Sequence, residues 1–400
     1  IQDSDQRLKP WFDSASELIA SPDLESLEGE IKLEQLSLQL RTEWLRYANA
    51  ISSRYLKSPP GFQMPVIPSG DTAATPYDRW IEPAALEKRA HSYHTAPAGW
   101  HANHVMFNTG MGAITCLLLV MRTMFQPRAA SPLRLHGLGG YFEIMDLITA
   151  NHDELFQTQI FQEQKQLLQS VAAGGSQLLY IEPVSCRFSL DVFDLDKFLQ
   201  AWQQRPGNIP TILILDTTLT GNLFPIEEAL TRAAPHKPAV VVQVSSTLKL
   251  DQEGLEFSNG GLMSVYSTLP ESAADISFRM RRFRSAMGLG LNMDQISALD
   301  YPGFLQQSIS DRHSSRIFEH NAYVARHIDT GDELLFDAKS HPALNGDPPC
   351  PWAVAPFVYL RLRKGSNKKD LQFLKYVFFT EAQKRGLTFQ PGSSFGFRSH

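Results

Sequence analysis

Lys249 and Asp216 are the two residues of this sequence whose types and surroundings suit covalent chemistry on a carbonyl compound. Lys249 follows the apolar, β-branched run Ala239-Val-Val-Val-Gln-Val244 and sits in Ser245-Ser-Thr-Leu-Lys-Leu250, with hydroxyls packed just before it. An amine delivered by a buried strand can hold a carbonyl cofactor as a Schiff base. Asp216, 33 positions upstream, ends a second apolar run, Thr211-Ile-Leu-Ile-Leu215. A carboxylate there can keep a pyridine nitrogen protonated, so that the ring accepts electrons from a substrate carbanion. Taken alone, a lysine after a strand is more often a solvated loop charge. Two strand ends with complementary chemistry change that balance, because ligands of an open parallel sheet gather at the carboxyl ends of its strands. The pair points to pyridoxal phosphate.

Three further segments fit the same chemistry. Thr109-Gly-Met-Gly-Ala113 opens an apolar helix, and a glycine turn feeding a helix N-terminus aims free amides at a phosphate. Gly139-Gly-Tyr-Phe-Glu-Ile-Met145 places Tyr141 after a flexible turn, where its ring could stack on a planar cofactor. Tyr180-Ile-Glu-Pro-Val-Ser-Cys186 puts polar groups after a strand. Each has an ordinary alternative: a tight turn, a core tyrosine, a loop.

Elements able to position these residues are legible in the hydrophobic pattern. Leu27, Ile31, Leu36, Leu40, Trp44, Leu45 and Tyr47 are spaced as on an amphipathic helix between Leu24 and Tyr55. The Pro- and Gly-containing stretch from Ser58 to Pro76 reads as an extended arm. From 104 to 270 the pattern alternates: helix at 117–124, strand at 178–181, helix at 195–202, strands at 211–215 and 240–244. Such alternation predicts an α/β domain around a mainly parallel sheet. Beyond Gly288, a helix around 316–327, a strand over Trp352–Leu362 and a helix over 369–384 predict a smaller α+β domain.

Composition narrows the class. The 400 residues are 43% hydrophobic, enough to bury a large core in more than one folding unit. The net charge of −5 is mild and carries no pointer to nucleic acid or membrane. Arg279, Arg281, Arg282 and Arg284 form a local basic cluster that reads as a solvated helix face. Cys116, Cys186 and Cys350 are too scattered for a disulfide framework or a CxxC metal site, and a soluble cytoplasmic protein is expected. His91, His94, His101 and His104 offer four imidazoles in a short span, but without a helical pair and an acid they predict no metal.

The order of the motifs resembles the Cys/Met-metabolism family of pyridoxal-phosphate-dependent enzymes, which have the aspartate-aminotransferase-like fold type I. That family carries Tyr-x-Arg, Ser-Gly-Met-Ala, Tyr-Gly-Gly-Thr, Glu-Ser/Thr-Pro-Ser/Thr-Asn-Pro, Asp-Asn-Thr and Ser-x-Thr-Lys. This chain has Tyr77-Asp-Arg79, Thr109-Gly-Met-Gly112, Tyr141-Phe-Glu-Ile144, Glu182-Pro-Val-Ser-Cys-Arg187, Asp216-Thr-Thr218 and Ser246-Thr-Leu-Lys249, in that order over about residues 77 to 290.

The resemblance implies a three-layer αβα fold around a mainly parallel sheet, with an N-terminal helical arm at 1–76, a large cofactor domain at 77–290 and a smaller C-terminal α+β domain at 291–400. Lys249 would form the aldimine and abstract the α-proton of an amino acid, and Asp216 would be the pyridinium partner. Tyr141 would stack on the ring, while Gly110, Met111, Ser246, Thr218 and Cys186 would complete the cofactor site. Tyr77 and Arg79 would reach the phosphate of a neighbouring subunit, making a homodimer or dimer of dimers.

Elimination or replacement at Cβ or Cγ is the reaction the resemblance implies. An aminotransferase is the alternative, and a non-catalytic binding or scaffold protein is the alternative of another class. Pro391-Gly-Ser-Ser-Phe-Gly396 resembles the turn that brings a substrate-carboxylate arginine into the site, which makes Arg398 the candidate. Family members usually continue beyond such a segment, so a longer C-terminus is expected. Three departures mark a divergent member: Leu248 in place of a phosphate-binding threonine, Cys186 in place of an asparagine, and Phe142-Glu143 in place of a glycine pair.

Overall fold

The computed structural model describes residue 13 and residues 26–125, 132–206, 211–233, 240–331, 335–345, 351–363, 367–387, 392, 394 and 395. A sheet of seven strands organises it: β1 (His101–Phe107), β2 (Leu133–Leu138), β3 (Phe156–Phe161), β4 (Leu178–Ile181), β5 (Ile212–Asp216), β6 (Val240–Ser246) and β7 (Gly261–Ser267). Their spatial order is β1-β7-β6-β5-β4-β2-β3. Pairing is parallel from β3 through β6, and only β7 runs antiparallel to both of its neighbours.

The near-continuous apolar runs of β5 and β6 follow from burial on both faces. Ile212, Ile214, Val240, Val242 and Val244 face one core with α3 (Gly110–Phe125), α4 (Phe142–Ala150) and α8 (Pro270–Met287). Leu213, Leu215 and Val241 face a second core with α5 (Gln164–Ala172), α6 (Leu195–Gln204) and α7 (Ile226–Arg232). Three layers result, as the alternation of the sequence predicts.

α1 (Leu27–Ser52) starts at Ser26, whose hydroxyl accepts from Gly29 N at 3.0 Å. Its Trp44 is buried and donates Nε1–H to Ala298 O at 2.7 Å, in α9 (Met293–Leu299). Trp44 also packs edge-on against Phe257 and Tyr301, and Arg41 donates to Glu256 O at 3.0 Å. The helix thus braces the segment that follows Lys249. α2 (Ala84–Tyr93) lies against β1 through the buried Leu86, Ala90 and Tyr93.

Several elements differ from the sequence reading. The arm at 58–76 folds back on itself through bridges Gln63–Thr75 and Val66–Thr72, burying Ile67 and Ala73. The arginine cluster is not simply solvated: Arg284 is fully buried, donating to Glu87 Oε1 and Glu82 Oε2, both at 2.9 Å, and to Met106 O at 2.8 Å. Arg281 joins it, donating to Glu87 Oε2 at 2.7 Å. α8 therefore fixes the entry of the N-terminal segment onto the sheet.

The remaining differences lie mostly in the C-terminal part. The helix read around 316–327 begins earlier, as α10 (Gln307–His327). Of the strand read over Trp352–Leu362 only Tyr359–Leu362 pairs, antiparallel with Phe336–Ser340; these are β9 and β8. Pro356 has no amide to give a ladder, and Trp352 is buried edge-on against Phe224 instead. α11 (Lys368–Lys384) follows, capped by Asn367. β1 and β3 carry polar residues that break the apolar pattern, and pairing with β7 and β2 makes them strands.

No helix among the described residues is long and apolar enough to cross a membrane. Breaking a buried ion pair from one side leaves an uncompensated charge, so Arg284→Ala is expected to lower stability by roughly 3–5 kcal/mol. A urea titration against the wild-type protein measures it.

Candidate active site

Strand parity decides which residues meet. Side chains alternate along a strand, so Tyr180, Glu182, Asp216 and Ser246 share the face of Leu178, Ile214 and Val244, toward α3 and α4. Ile181 pairs with Leu215, and one residue further Glu182 stands beside Asp216 at the carboxyl edge of the sheet. The turn after β1 leads into α3 at Gly110, and the turn after β2 leads to Tyr141 at the start of α4.

These ends enclose a cavity of about 850 Å³. Its wall includes Gly110, Met111, Tyr141, Cys186, Asp216, Thr218, Ser246 and Lys249, so eight of the expected site residues come together in one chain. Tyr77 and Arg79 do not reach it; they are exposed, with the Arg79 guanidinium 5.3 Å from the Tyr77 ring centroid. Arg398 lies outside the described residues, although Ser394 and Phe395 just before it line the cavity.

Lys249 is half-buried, and its pKa is lowered by burial, against a smaller opposing pull from Glu256 and Glu143. Its Nζ donates to Ser394 Oγ and stands 5.4 Å from the Phe395 ring centroid. Among the described residues it is the one basic side chain on the cavity wall. Asp216 is held by Thr218 N at 3.0 Å on Oδ1, and burial raises its pKa. The Thr218 hydroxyl in turn accepts from Ser246 N at 3.0 Å, tying the ends of β5 and β6 together.

At the start of α3 the Thr109 hydroxyl accepts from Gly112 N at 2.9 Å. The amides of Gly110 and Met111 meet no acceptor among the described residues, which is the normal state of a helix's first turn. A Cβ on Gly110 would come within 3.3 Å of the Ser246 backbone, so a side chain there would press on the strand end that leads to Lys249. Two free amides, the helix dipole and the Ser246 position make a cradle of the right chemistry for an anion. Leu248 lies on the same wall and adds only apolar surface.

Glu182 is a residue to which the sequence reading gave no role. It is buried and accepts from Tyr141 N at 2.7 Å and Cys186 N at 2.8 Å. Tyr180 Oη lies 3.1 Å from Glu182 Oε1 and 3.0 Å from Asp216 Oδ2. Burial, and then the nearby Asp216, push the Glu182 carboxyl from 4.5 up to about 7. A Cβ on Gly140 would come within 2.4 Å of this carboxyl, so a side chain there would push Glu182 off its hydrogen bonds. An acid ending an apolar strand, as Asp216 does, was the available signal. Phe357 and Tyr359 were likewise unforeseen, because they come from the C-terminal part.

Cys186 points its thiol toward Tyr359 Oη at 3.8 Å, and burial lifts it to about 11, so it is a neutral thiol at ordinary pH. Tyr141 is raised to about 12, first by burial. Away from the cavity, His94 and His104 are buried and share Ser264 Oγ at 2.9 and 2.8 Å. Burial holds them neutral, at about 4 and about 3. Among the described residues no cluster of three or more His, Cys, Asp or Glu is placed to hold a metal.

The architecture is a three-layer αβα fold, with the cavity at the carboxyl ends of β1, β2, β4, β5 and β6. Among solved structures it is similar to CalE6, a methionine gamma lyase from Micromonospora echinospora, at TM-score 0.53 and 16% identity over 80% of this chain and 76% of that one. Cystathionine gamma-lyase from yeast superposes at 0.52 with 15% identity, covering 81% and 78%. The metB protein of Corynebacterium glutamicum does so at 0.51 with 14% identity, covering 80% and 74%. No protein-family model and no curated protein sequence matches the chain.

Because the Glu182 pKa is raised, its contribution to stability is full below about pH 4.5 and is lost as pH rises through about 7. At about 1.4 kcal/mol per unit the loss is on the order of 3 kcal/mol. Glu182→Gln removes this titration, so its stability relative to wild type in the cofactor-free protein is expected to rise by that amount between pH 4 and pH 8. Denaturant titrations at the two pH values check this. Gly140→Ala is expected to destabilise by roughly 1–3 kcal/mol, by the same measurement.

Proposed function

We propose that this protein is a pyridoxal-phosphate-dependent enzyme acting on an α-amino acid, as a lyase or transferase. The observation that carries the reading is the convergence of Lys249, Asp216, Tyr141 and the Gly110–Met111 amides on one cavity. At about 850 Å³ the space falls in the range of cofactor sites. When bound, pyridoxal phosphate supplies an electron-accepting ring that stabilises the carbanion left at a substrate carbon.

The chain's own groups then have distinct tasks. Lys249 Nζ would hold the cofactor through its carbonyl carbon. Burial keeps its pKa below that of a free lysine, which suits the amine to take a proton from the substrate's α-carbon. Asp216 would keep a proton on the ring nitrogen. The Gly110 and Met111 amides, with Ser246, hold the phosphate, and Thr218 keeps the ends of β5 and β6 in register for it. Tyr141 offers its ring as a stacking surface, and the neutral Cys186 thiol sits where it can donate a weak hydrogen bond without adding charge.

Elimination or replacement at Cβ or Cγ is favoured over transamination by the likeness in fold to two proteins described as gamma-lyases. Tyr77 and Arg79 are exposed and not on the wall of their own cavity, which supports a homodimer in which they serve the partner's phosphate. Arg398 remains the candidate for the substrate carboxylate, and a soluble cytoplasmic location is part of the same proposal.

Addition of pyridoxal phosphate to the purified protein is expected to give a yellow absorbance that Lys249→Ala lacks; a wild-type protein that takes up no cofactor would sink the reading. With a mixture of sulfur-containing and hydroxylated amino acids, release of ammonia and a 2-oxo acid without an added acceptor identifies elimination. A strict requirement for an acceptor oxo acid identifies an aminotransferase instead. Sedimentation at micromolar concentration is expected to show a dimer, and a monomer that still turns over substrate refutes the shared site.

A further inference from the structure

Tyr180 has one phenolic proton, yet its oxygen lies within hydrogen-bond distance of two carboxyl oxygens, 3.1 Å from Glu182 Oε1 and 3.0 Å from Asp216 Oδ2. Both acids are buried side by side at the edge of the sheet, and among the described residues no basic group is named as acting on either. Tyr180, Asp216, Tyr141, Cys186 and Tyr359 surround Glu182, and Lys249, on the same cavity wall, pairs with Ser394. If both carboxyls were ionised, the phenol could satisfy only one of them. The other would then present a lone pair to the phenolic oxygen in a low-dielectric site, an arrangement that costs free energy and does not hold a short contact. A second proton removes the conflict.

We propose that Glu182 is a positioning residue that supplies this second proton: as a neutral acid it donates from Oε1 to Tyr180 Oη, which donates its own proton to Asp216 Oδ2. Glu182 Oε2 then accepts from Cys186 N, at 2.8 Å, and a lone pair of Oε1 accepts from Tyr141 N, at 2.7 Å, so every hydrogen bond of the carboxyl is used. The relay has a direction. It keeps Asp216 as the anion of the pair and fixes its Oδ2, while Thr218 N fixes Oδ1. The two backbone contacts also couple the turns carrying Tyr141 and Cys186 to the protonation of Glu182. The value of this arrangement for a ring nitrogen rests on the cofactor reading above; the proton assignment itself does not.

Infrared difference spectroscopy on the cofactor-free protein decides the assignment. At pH 6, the wild-type minus Glu182→Gln spectrum is expected to show the carbonyl stretch of a protonated carboxylic acid, with an Asp251→Asn protein as control for the other strongly raised carboxyl. A difference spectrum that shows a lost carboxylate instead overturns the proposal. Pyridoxal-phosphate affinity gives a second reading through the middle of the relay. Tyr180→Phe, which removes the group linking the two acids, is expected to weaken binding roughly tenfold. An affinity unchanged in Tyr180→Phe refutes the relay. An acid band in a protein that binds no cofactor overturns the proposed function and supports the proton assignment.

Discussion

The parallel register of β4, β5 and β6 is the constraint on which the site depends. Because Ile181 pairs with Leu215 and Asp216 with Val244, Glu182 comes level with Asp216, and Ser246 stands two residues beyond on the same edge. Parity then turns Glu182, Asp216 and Ser246 to the same side. A slip of one residue would send Asp216 into the apolar layer of Phe198 and Trp202, where an ionised carboxyl has no partner. The apolar alternation that builds two cores is therefore also what aims the chemistry.

Polar groups gathered at a buried edge are costly unless each is satisfied, and the loops are arranged to satisfy them. Glu182 receives two amides from two different turns, and Ser185 donates to Gly139 O at 2.9 Å, so the turns after β2 and β4 close on each other. Arg187 extends the link, donating to Gln162 O at 2.8 Å and Asp191 at 2.8 Å. On the far side, α1 and α9 hold the chain after Lys249 through Trp44 and Arg41. The lysine is thus carried by a segment packed on both sides, which limits the volume its amine explores.

The positions where the sequence differs from the motifs it resembles each alter the cavity wall. Leu248 offers no hydroxyl to a phosphate, Cys186 replaces a strong hydrogen-bonding amide with a weak thiol, and Phe142 with Glu143 replaces glycine. Leu248, Phe142, Phe357 and Phe395 add apolar surface to the cavity wall, while Glu143 adds a carboxylate. The anion cradle then relies on the backbone amides of α3. Side-chain recognition would draw on aromatic surface contributed by the C-terminal part.

How much could be read in advance depended on the range of the interaction. The strands carrying Asp216 and Lys249, the glycine turn into α3 and the three-layer architecture were legible because local apolar periodicity and strand-end chemistry encode them. β1 and β3 were not, since their polar residues break the pattern and only pairing with neighbours makes them strands. The strand over 352–362 was misread for the opposite reason: an apolar run was taken for a ladder, whereas Pro356 and the burial of Trp352 send it elsewhere. Arg284 looked like surface charge because its partners, Glu82 and Glu87, lie some 200 residues away. By itself the sequence determined which residue types stand at the strand ends, and so the class of chemistry available. Only the tertiary structure decided that Glu182 and Tyr180 belong with Asp216, because that contact is set by hydrogen-bonded register between strands, which no single segment contains.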